Sequence, residues 1–198
     1  MQLKEPFCSR CAEPYARHAP GEFLCSNCEG RRWALARVRA AYRAVGTVRE
    51  VVLRFKYQRE YFLRPWLGRW IRDGFRRYYA EERWDALIPV PIHPERRKER
   101  GFNQSAEIAY WLGTKVGVKV EEGLVRVKAT PPQARLRRAE RLRNLRGALA
   151  LAPEFDPRGR RLLLCDDVFT TGATADACAR VLKQAGAEEI AALTVARG

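Results

Sequence analysis

Two adjacent carboxylates followed by a loop of small hydroxyl residues are the part of the chain best suited to chemistry. Residues 162–174 read Leu-Leu-Leu-Cys-Asp-Asp-Val-Phe-Thr-Thr-Gly-Ala-Thr. The leucines predict a buried strand, and Asp166 and Asp167 fall at its C-terminal end, where open α/β sheets place ligands. The residues that follow offer hydroxyls and backbone N–H groups at a helix N-terminus, which suits a phosphate. Paired acids suit the 2′ and 3′ hydroxyls of a ribose, so the stretch predicts a sugar-phosphate site.

This stretch resembles the phosphoribosyl-pyrophosphate (PRPP) motif of the type I phosphoribosyltransferases. Hydrophobic residues, paired acids and a Thr-Thr-Gly-x-Thr loop occur here in the order of that motif. The resemblance implies that Asp166 and Asp167 are the candidate catalytic residues. It implies that ribose and phosphate are bound by Asp166, Asp167, Val168, Thr170, Thr171, Gly172, Ala173 and Thr174. The alternative is an ordinary strand–loop–helix crossover, although such a crossover does not require an acid pair.

A second loop, rich in cations, also follows a predicted strand and precedes a predicted helix. Residues 85–91 predict a buried strand that ends in prolines, and a helix is expected from about Ser105 to Val116. A pyrophosphate leaving group needs positive charge and N–H donors at such a place. The candidate pyrophosphate-binding residues are Pro91, Arg100, Gly101, Asn103 and Gln104. Two alternatives remain open: Asn103 could be only the N-cap of the next helix, and residues 96–100 could be a solvated charge run.

Four cysteines near the N-terminus have the spacing of a metal site. Cys8 and Cys11 form one C-x₂-C pair, Cys25 and Cys28 form another, and thirteen residues separate the pairs. Four thiolates suit a structural Zn²⁺ with no coordination place left for catalysis. Some thirty residues cannot bury a core of their own, so the metal would supply folding energy. The alternative is two disulfides; His18, between the pairs, could replace a ligand but is expected at the surface.

The positive charge of the chain is concentrated in two regions. The net charge is +15, and residues 31–83 carry 15 Lys and Arg against 5 Asp and Glu, while residues 126–146 carry 8 against 1. Such regions favour polyanionic ligands, and their alternative is a solvated Arg-rich surface. Neither a signal peptide nor a run of about 18 apolar residues occurs, so we expect a cytoplasmic protein with no membrane insertion.

Apolar periodicity predicts alternating helices and strands, and hence an α/β fold with a parallel sheet. Helices are predicted over 47–57, 62–79 and 173–185, strands over 118–127, 161–165 and 190–195, and a strand pair or a helix over 33–45. Residues 129–147 predict a mobile basic loop or hairpin. In the helix over 62–79, aromatic and Arg residues could grip single-stranded nucleic acid, or could be only a core face beside a charged face.

In their order along the chain, these segments resemble the competence protein F (ComF, or GntX-like) family. The resemblance covers nearly the whole chain and includes the cysteine pairs, the Phe55-Lys56-Tyr57 segment, Pro89-Val90-Pro91 and the Arg-Gly-Phe-Asn-Gln run over 100–104. It continues through Thr130, Gln133, Arg141 and Asn144 to the acid motif. One departure is Cys165, where the family usually has Val; we expect it to be neutral.

The family resemblance implies a type I phosphoribosyltransferase fold preceded by a zinc ribbon. The expected division is a ribbon over 1–32, a connecting helical region over 33–83 that supplies the hood above the active site, and the α/β domain over 84–198. A flexible loop that closes on the pyrophosphate would use Gln133, Arg137, Arg138, Arg141 and Asn144. The implied ions are structural Zn²⁺ and the Mg²⁺ that accompanies PRPP.

The resemblance also implies a role in natural transformation. In this interpretation the protein binds PRPP or a related sugar phosphate, handles single-stranded DNA during uptake, and meets proteins of the uptake machinery. The alternative is an active phosphoribosyltransferase of base salvage, with an unknown acceptor and no DNA role. If the protein is an enzyme, the expected reaction is glycosyl transfer from PRPP with release of pyrophosphate.

Overall fold

The computed structural model describes residues 1–15, 23–128 and 147–198. The strands are β1 (Val38–Arg43), β2 (Ala86–Pro89), β3 (Leu124–Arg126), β4 (Leu149–Leu151), β5 (Arg161–Phe169) and β6 (Glu189–Arg197). The α-helices are α1 (Gly46–Tyr57), α2 (Arg64–Tyr78), α3 (Pro94–Arg100), α4 (Gln104–Val116) and α5 (Ala173–Gln184), and a single 3₁₀ turn spans Tyr61–Leu63.

Four strands form a parallel sheet in the order β1-β6-β5-β2. The register places Leu163 of β5 between Leu87 of β2 and Ala191 of β6. All four residues of β2 are buried, as a strand covered on both faces requires. The parallel α/β sheet expected from the sequence is therefore confirmed.

Alternate residues of β5 enter different cores on the two faces of the sheet. Leu162 and Leu164 belong to a core with α5, whereas Leu163 and Cys165 belong to a core with α1, α2 and α4. This two-residue alternation explains why the strand reads as an unbroken apolar run. Cys165 is fully buried and packs as a small apolar side chain, which agrees with the expectation that replacing Val by Cys is neutral.

Helix α2 packs one apolar face on the sheet side. Its buried residues include Leu67, Ile71 and Phe75, and Pro65 occupies the first turn, where the missing N–H costs nothing. A Cβ on Gly68 would overlap the ring of Trp111 in α4, so the close approach of these helices requires glycine there. The predicted helix over 62–79 is confirmed, with its first residues in the 3₁₀ turn.

The predicted strand over 118–127 is only partly correct. Val120 makes an isolated parallel bridge to Leu87, while β3 covers three residues and pairs antiparallel with β4 in a separate two-stranded sheet. Gly123 separates the two pieces and lies against the Phe155 ring, where a Cβ would clash. The apolar run therefore divides between two sheets, which periodicity alone does not reveal.

Two further segments differ from expectation. The strand pair or helix considered over 33–45 is the single strand β1. The loop over 92–104 contains α3, which begins after an N-cap at His93 and ends at Gly101, whose φ of +90° suits glycine. None of the residues of α3 is buried, so an apolar pattern could not have shown it.

The segment over 33–83 supplies β1 of the main sheet as well as α1 and α2. Within the described ranges, no helix combines the length and the apolar character needed to cross a bilayer.

Candidate functional site

The acid pair lies inside β5, and not at its end as the sequence predicted. Strand β5 continues to Phe169 because it stays paired with β6 up to Arg197. Its other neighbour, β2, ends at Pro89 opposite Cys165. Because β2 is shorter than β5, no strand covers Asp166 and Asp167 on that side, and both line the cleft. The carboxyl edge of the sheet is thus stepped, since neighbouring strands end at different levels.

Each acid has a different protein partner. Asp166 Oδ1 accepts a hydrogen bond from Ser105 Oγ at 2.6 Å. Asp167 Oδ2 lies 2.7 Å from Lys56 Nζ, and its Oδ1 accepts from the backbone N–H of Val168 at 2.8 Å. The side chain of Asp167 is 4% exposed and that of Lys56 is 22% exposed, so the ion pair closes over the acid.

The surroundings drive the two carboxyl pKa values apart. Burial and the neighbouring charge of Asp167 raise the pKa of Asp166 to about 7. Burial also disfavours the charge of Asp167, but the Lys56 ammonium outweighs this effect and lowers the pKa of Asp167. Burial would lower the pKa of Lys56, yet the charges of Asp167 and Asp166 prevail and raise it. At neutral pH, Asp167 is thus a charged acceptor beside a charged lysine.

The loop after the acids leads into α5 with the geometry of a phosphate cradle. Gly172 has a φ of +74° and precedes the first residue of α5, so backbone N–H groups of the first turn point into the cleft. A Cβ at Gly172 would overlap the rings of Phe169 and Trp33, which explains the glycine in this loop. The carbonyl of Thr171 accepts a hydrogen bond from Arg31 at 3.2 Å.

A cavity of about 620 Å³ brings most of the sequence-predicted residues together. Those that line it are Pro91, Arg100, Gln104, Asp166, Asp167, Val168, Thr170, Thr171, Gly172, Ala173 and Thr174. Its size lies within the range of small-molecule sites. The acid pair, the loop over 170–174 and the cation-rich segment that contains Arg100 therefore line the same cavity.

Two of the predicted pyrophosphate residues do not line this cavity. Gly101 forms the C-terminal cap of α3. Asn103 is the N-cap of α4: its Oδ1 accepts from the Ser105 N–H and its amide donates to the Val90 carbonyl, both at 3.1 Å. Asn103 thus links the residue that follows β2 to the N-terminus of α4. This is the N-cap role that the sequence left open as an alternative to pyrophosphate binding. The loop residues Gln133, Arg137, Arg138, Arg141 and Asn144, like Thr130 and His18, lie outside the described residues.

Four basic residues that line the cavity are not among the site residues predicted from the sequence. They are Arg49 and Lys56 on α1, Arg96 on α3 and Arg126 on β3. Arg126 is only 9% exposed, and burial lowers the pKa of its guanidinium. A signal for Lys56 was present in the Phe-Lys-Tyr segment, where the buried Phe55 precedes it. A single basic residue in a three-residue strand offers no such signal for Arg126.

The four N-terminal cysteines converge into a candidate metal centre. Their sulfur atoms all lie within 4.8 Å of one another, and Cys11 Sγ is 3.6 Å from Cys25 Sγ. Tetrahedral Zn²⁺ with Zn–S bonds of about 2.3 Å places sulfurs roughly 3.8 Å apart, so the donor set fits zinc. No two of the four are joined by a disulfide in this structure, and their convergence favours the metal site over the disulfide alternative. Burial raises the pKa of Cys11 to about 11, and a divalent cation would offset that cost.

The acid pair does not fit a resident Mg²⁺. Among the described residues, the cysteines are the one group of three or more metal-ligating side chains in reach of a single ion. Mg²⁺ prefers several oxygen ligands, and one of the two available carboxylates already contacts Lys56. Any Mg²⁺ here would have to be held mainly by oxygens of the ligand.

A parallel sheet with paired acids and a phosphate cradle at its stepped edge, preceded by a four-cysteine ribbon, defines a type I phosphoribosyltransferase fold. Residues 116–198 match the family profile of the phosphoribosyl transferase domain. A solved purine phosphoribosyltransferase from Pyrococcus horikoshii is 18% identical and aligns over 67% of this chain and 84% of its own, with a TM-score of 0.43.

Curated relatives extend the match over almost the whole chain. Competence protein F of Haemophilus influenzae is 30% identical over 99% of this chain and 87% of its own length. The chain therefore belongs to the competence protein F family. Competence protein ComFC of Bacillus subtilis is 27% identical over 96% of this chain and 77% of its own. DNA utilization protein YhgH of Salmonella typhi is 36% identical over 54% of this chain and 46% of its own.

Proposed function

We propose that the protein binds PRPP in the cavity at the sheet edge and uses this site in the handling of single-stranded DNA during DNA uptake. The observation that carries the ligand is the single cavity shared by the acid pair, the loop over 170–174 and Arg100. The names of the relatives support the biological role, since they are competence and DNA utilization proteins. We place the protein in the cytoplasm, where it would meet DNA and the proteins that import it.

The proposed binding mode gives each part of PRPP a chemically matched neighbour. The N–H groups and hydroxyls over 170–174 would hold the 5′-phosphate. Asp166 and Asp167 would accept hydrogen bonds from the ribose hydroxyls. Pyrophosphate would lie toward Arg100 and Gln104, and Arg100 donates a hydrogen bond to the Gln104 side chain. Arg126, which shares this cavity, would add positive charge.

Calorimetric titration of PRPP with Mg²⁺ into zinc-loaded protein tests this assignment. The Asp166→Asn/Asp167→Asn variant should lose at least 100-fold in affinity, because an amide replaces neither the charged acceptor Asp167 nor the second carboxyl oxygen of Asp166. Asp156→Asn is the matched control, since Asp156 is exposed and its carboxylate pairs only with Arg158 among the described contacts. Inorganic pyrophosphate alone should bind far more weakly than PRPP.

The assignment is wrong if the double variant binds PRPP as well as wild type does. It is also wrong if pyrophosphate binds as tightly as PRPP, because the ribose would then contribute nothing and the cleft would be a general polyanion site.

A second candidate function is an active phosphoribosyltransferase with an unknown acceptor. One observation favours it: the cavity extends beyond the acids to Val52 and Leu53 of α1 and to Gly198, so it has room for an acceptor beside a ribose bound at the acid pair. The acceptor amine would form a bond to that carbon while the bond to pyrophosphate breaks and pyrophosphate leaves. Release of pyrophosphate that depends on an added base or amine, and that stops in the double variant, separates this function from binding alone.

A further inference from the structure

One ammonium group reaches from α1 across the cleft to the acid pair. Lys56 Nζ lies 2.7 Å from Asp167 Oδ2, and the two residues are far apart in sequence. Phe55, the residue before Lys56, is 1% exposed and packs in the core beneath α1, next to the ring of Phe102 at 4.9 Å. The backbone that carries Lys56 is therefore held by packing, and the side chain enters the cleft over Asp167.

Two neighbouring carboxylates in a buried place require a counter-charge. Asp167 is 2% exposed, and Asp166 beside it is engaged by the neutral Ser105 hydroxyl. An unpaired buried carboxylate is expensive, so Asp167, which stays charged, needs a cation beside it. A divalent cation or a protein ammonium can supply that charge, and here the Lys56 ammonium lies beside Asp167.

The other charged groups of the cleft strengthen this argument. The cavity lining also includes Arg49, Arg96, Arg100 and Arg126, whereas the acid pair supplies its only acidic side chains among the described residues. A free divalent cation that approached the acid pair would meet these positive charges as well as Lys56. The cleft is thus organised to receive an anion and to repel a bare metal ion.

We propose that Lys56 is a positioning residue that serves as the resident counter-cation of the acid pair: it orients Asp167 toward the ribose hydroxyls and excludes a divalent cation from the two carboxylates. The part that concerns ribose rests on the proposed PRPP function. The part that concerns the metal does not, because it describes the protein without ligand.

The first experiment measures Mn²⁺ binding to zinc-loaded protein without any sugar phosphate, by the loss of the free Mn²⁺ electron paramagnetic resonance signal. Wild type should bind no Mn²⁺ at concentrations where Lys56→Met binds about one equivalent. Lys56→Arg should behave as wild type, because it keeps the charge. Lys56→Met/Asp167→Asn should lose the site that Lys56→Met gained.

The proposal is overturned if wild type binds Mn²⁺ as tightly as Lys56→Met, or if removal of Lys56 creates no site. Thermal melting verifies that each variant is folded. Should Lys56→Met not melt cooperatively, Lys56→Gln, which keeps a polar end on a similar stem, takes its place with the same expected gain.

The second experiment compares PRPP affinity in buffer freed of divalent cations and in the same buffer with Mg²⁺, on the zinc-loaded protein after removal of loosely bound metal and without a chelator that would extract the ribbon zinc. Wild type should lose little affinity without Mg²⁺, whereas Lys56→Met should be at least 10-fold weaker without Mg²⁺ and recover when Mg²⁺ is added. Lys119→Met is the control, since its ammonium is 76% exposed and contacts only Glu121 among the described ion pairs.

The outcomes distinguish the two proposals. If wild type binds no PRPP under either condition while Lys56→Met gains a Mn²⁺ site, the PRPP function fails and the role of Lys56 toward the metal stands. If wild type binds PRPP and Lys56→Met shows the same affinity and the same Mg²⁺ dependence, the role of Lys56 toward the ribose is contradicted.

Discussion

Asp166 and Asp167 are adjacent in β5, yet they contribute to folding stability in opposite directions. Asp167 gains from its ion pair with Lys56, whereas burial and the charge of Asp167 raise the pKa of Asp166 to about 7. In the unfolded chain the same carboxyl group has a pKa near 3.8. Between these two values the folded protein holds a proton on Asp166 that the unfolded chain releases, so the contribution of Asp166 to stability falls as pH rises from about 4 to about 7.

Asp166→Asn should therefore stabilise the protein at alkaline pH. We expect the free energy of unfolding at pH 8 to rise by about 1 kcal/mol or more, because each pKa unit corresponds to about 1.4 kcal/mol. The difference from wild type should shrink as pH falls and vanish near pH 4. Chemical denaturation across this pH range measures it. Asp156→Asn, in which an exposed ion pair is lost, should give no stabilisation; a less stable Asp166→Asn protein at pH 8 would contradict the burial argument.

At the scale of elements, the segment that leaves the ribbon supports the phosphate loop. The Arg31 guanidinium lies 3.5 Å above the Trp33 ring, and Trp33 stacks on Phe169 at 6.2 Å. Arg31 also donates to the Thr171 carbonyl, and Asp176 of α5 accepts from the Ala34 N–H at 2.8 Å. The segment that follows the four cysteines thus packs against the loop over 170–174 and supports it on the side away from the cavity.

Removal of Zn²⁺ from the ribbon should weaken the proposed sugar-phosphate binding, although no cysteine lines the cavity at the sheet edge. Chelation of Zn²⁺ releases the ribbon, and with it the support under Thr171, so we expect PRPP affinity to fall about 10-fold. Trp33→Ala should produce a similar loss in zinc-loaded protein. Trp66→Ala, which changes an exposed tryptophan on α2, is the matched control. Calorimetry measures both; equal PRPP affinity in folded protein with and without zinc would refute the coupling.

The elements also show how far sequence patterns reach. The apolar run before the acids and the 3.6-residue pattern of α2 predicted elements that the structure confirms, because burial decides these patterns: β5 is covered on both faces and α2 on one. The place of Arg126 in the cavity wall could not be predicted in this way. Arg126 enters the cleft because β3 pairs with β4, and nothing in its neighbours along the chain encodes that placement. Likewise, β5 extends beyond the end of β2 because it stays paired with β6, and the sequence of β5 alone does not show this pairing.

At the scale of the whole molecule, positive charge and exposed aromatic rings coincide near the start of α2. Phe62 is 67% exposed and Trp66 is 52% exposed. Arg69 lies 5.3 Å from the Trp66 ring, and Arg64 lies 5.2 Å from the exposed ring of Tyr61. Of the two interpretations of this helix, the aromatic and Arg surface suits single-stranded DNA, since bases stack on rings while arginines contact phosphates. The buried face of the same helix packs in the core.

Phe62→Ala/Trp66→Ala should weaken binding of a labelled single-stranded oligonucleotide about 10-fold or more, because stacking contributes roughly 1–3 kcal/mol per base. The slope of log affinity against log salt should stay as in wild type. Arg69→Gln should lower that slope by about one instead. Tyr110→Ala, an exposed ring on α4 that pairs with Glu122, is the control. Fluorescence anisotropy at several salt concentrations tests all three, and unchanged affinity in the double variant would exclude this surface.

The neighbouring places of β1 and β6 in the sheet have a consequence for synthesis on the ribosome. Val38 pairs with Ala192, and Arg197 donates to the Cys11 carbonyl and contacts Glu13, so the ribbon and β1 find their permanent partners in β6, which is synthesised much later. The cysteines leave the exit tunnel long before that strand exists. During elongation the nascent ribbon and β1 therefore persist as a tethered, undocked unit, and the cleft becomes complete only once β6 has been synthesised.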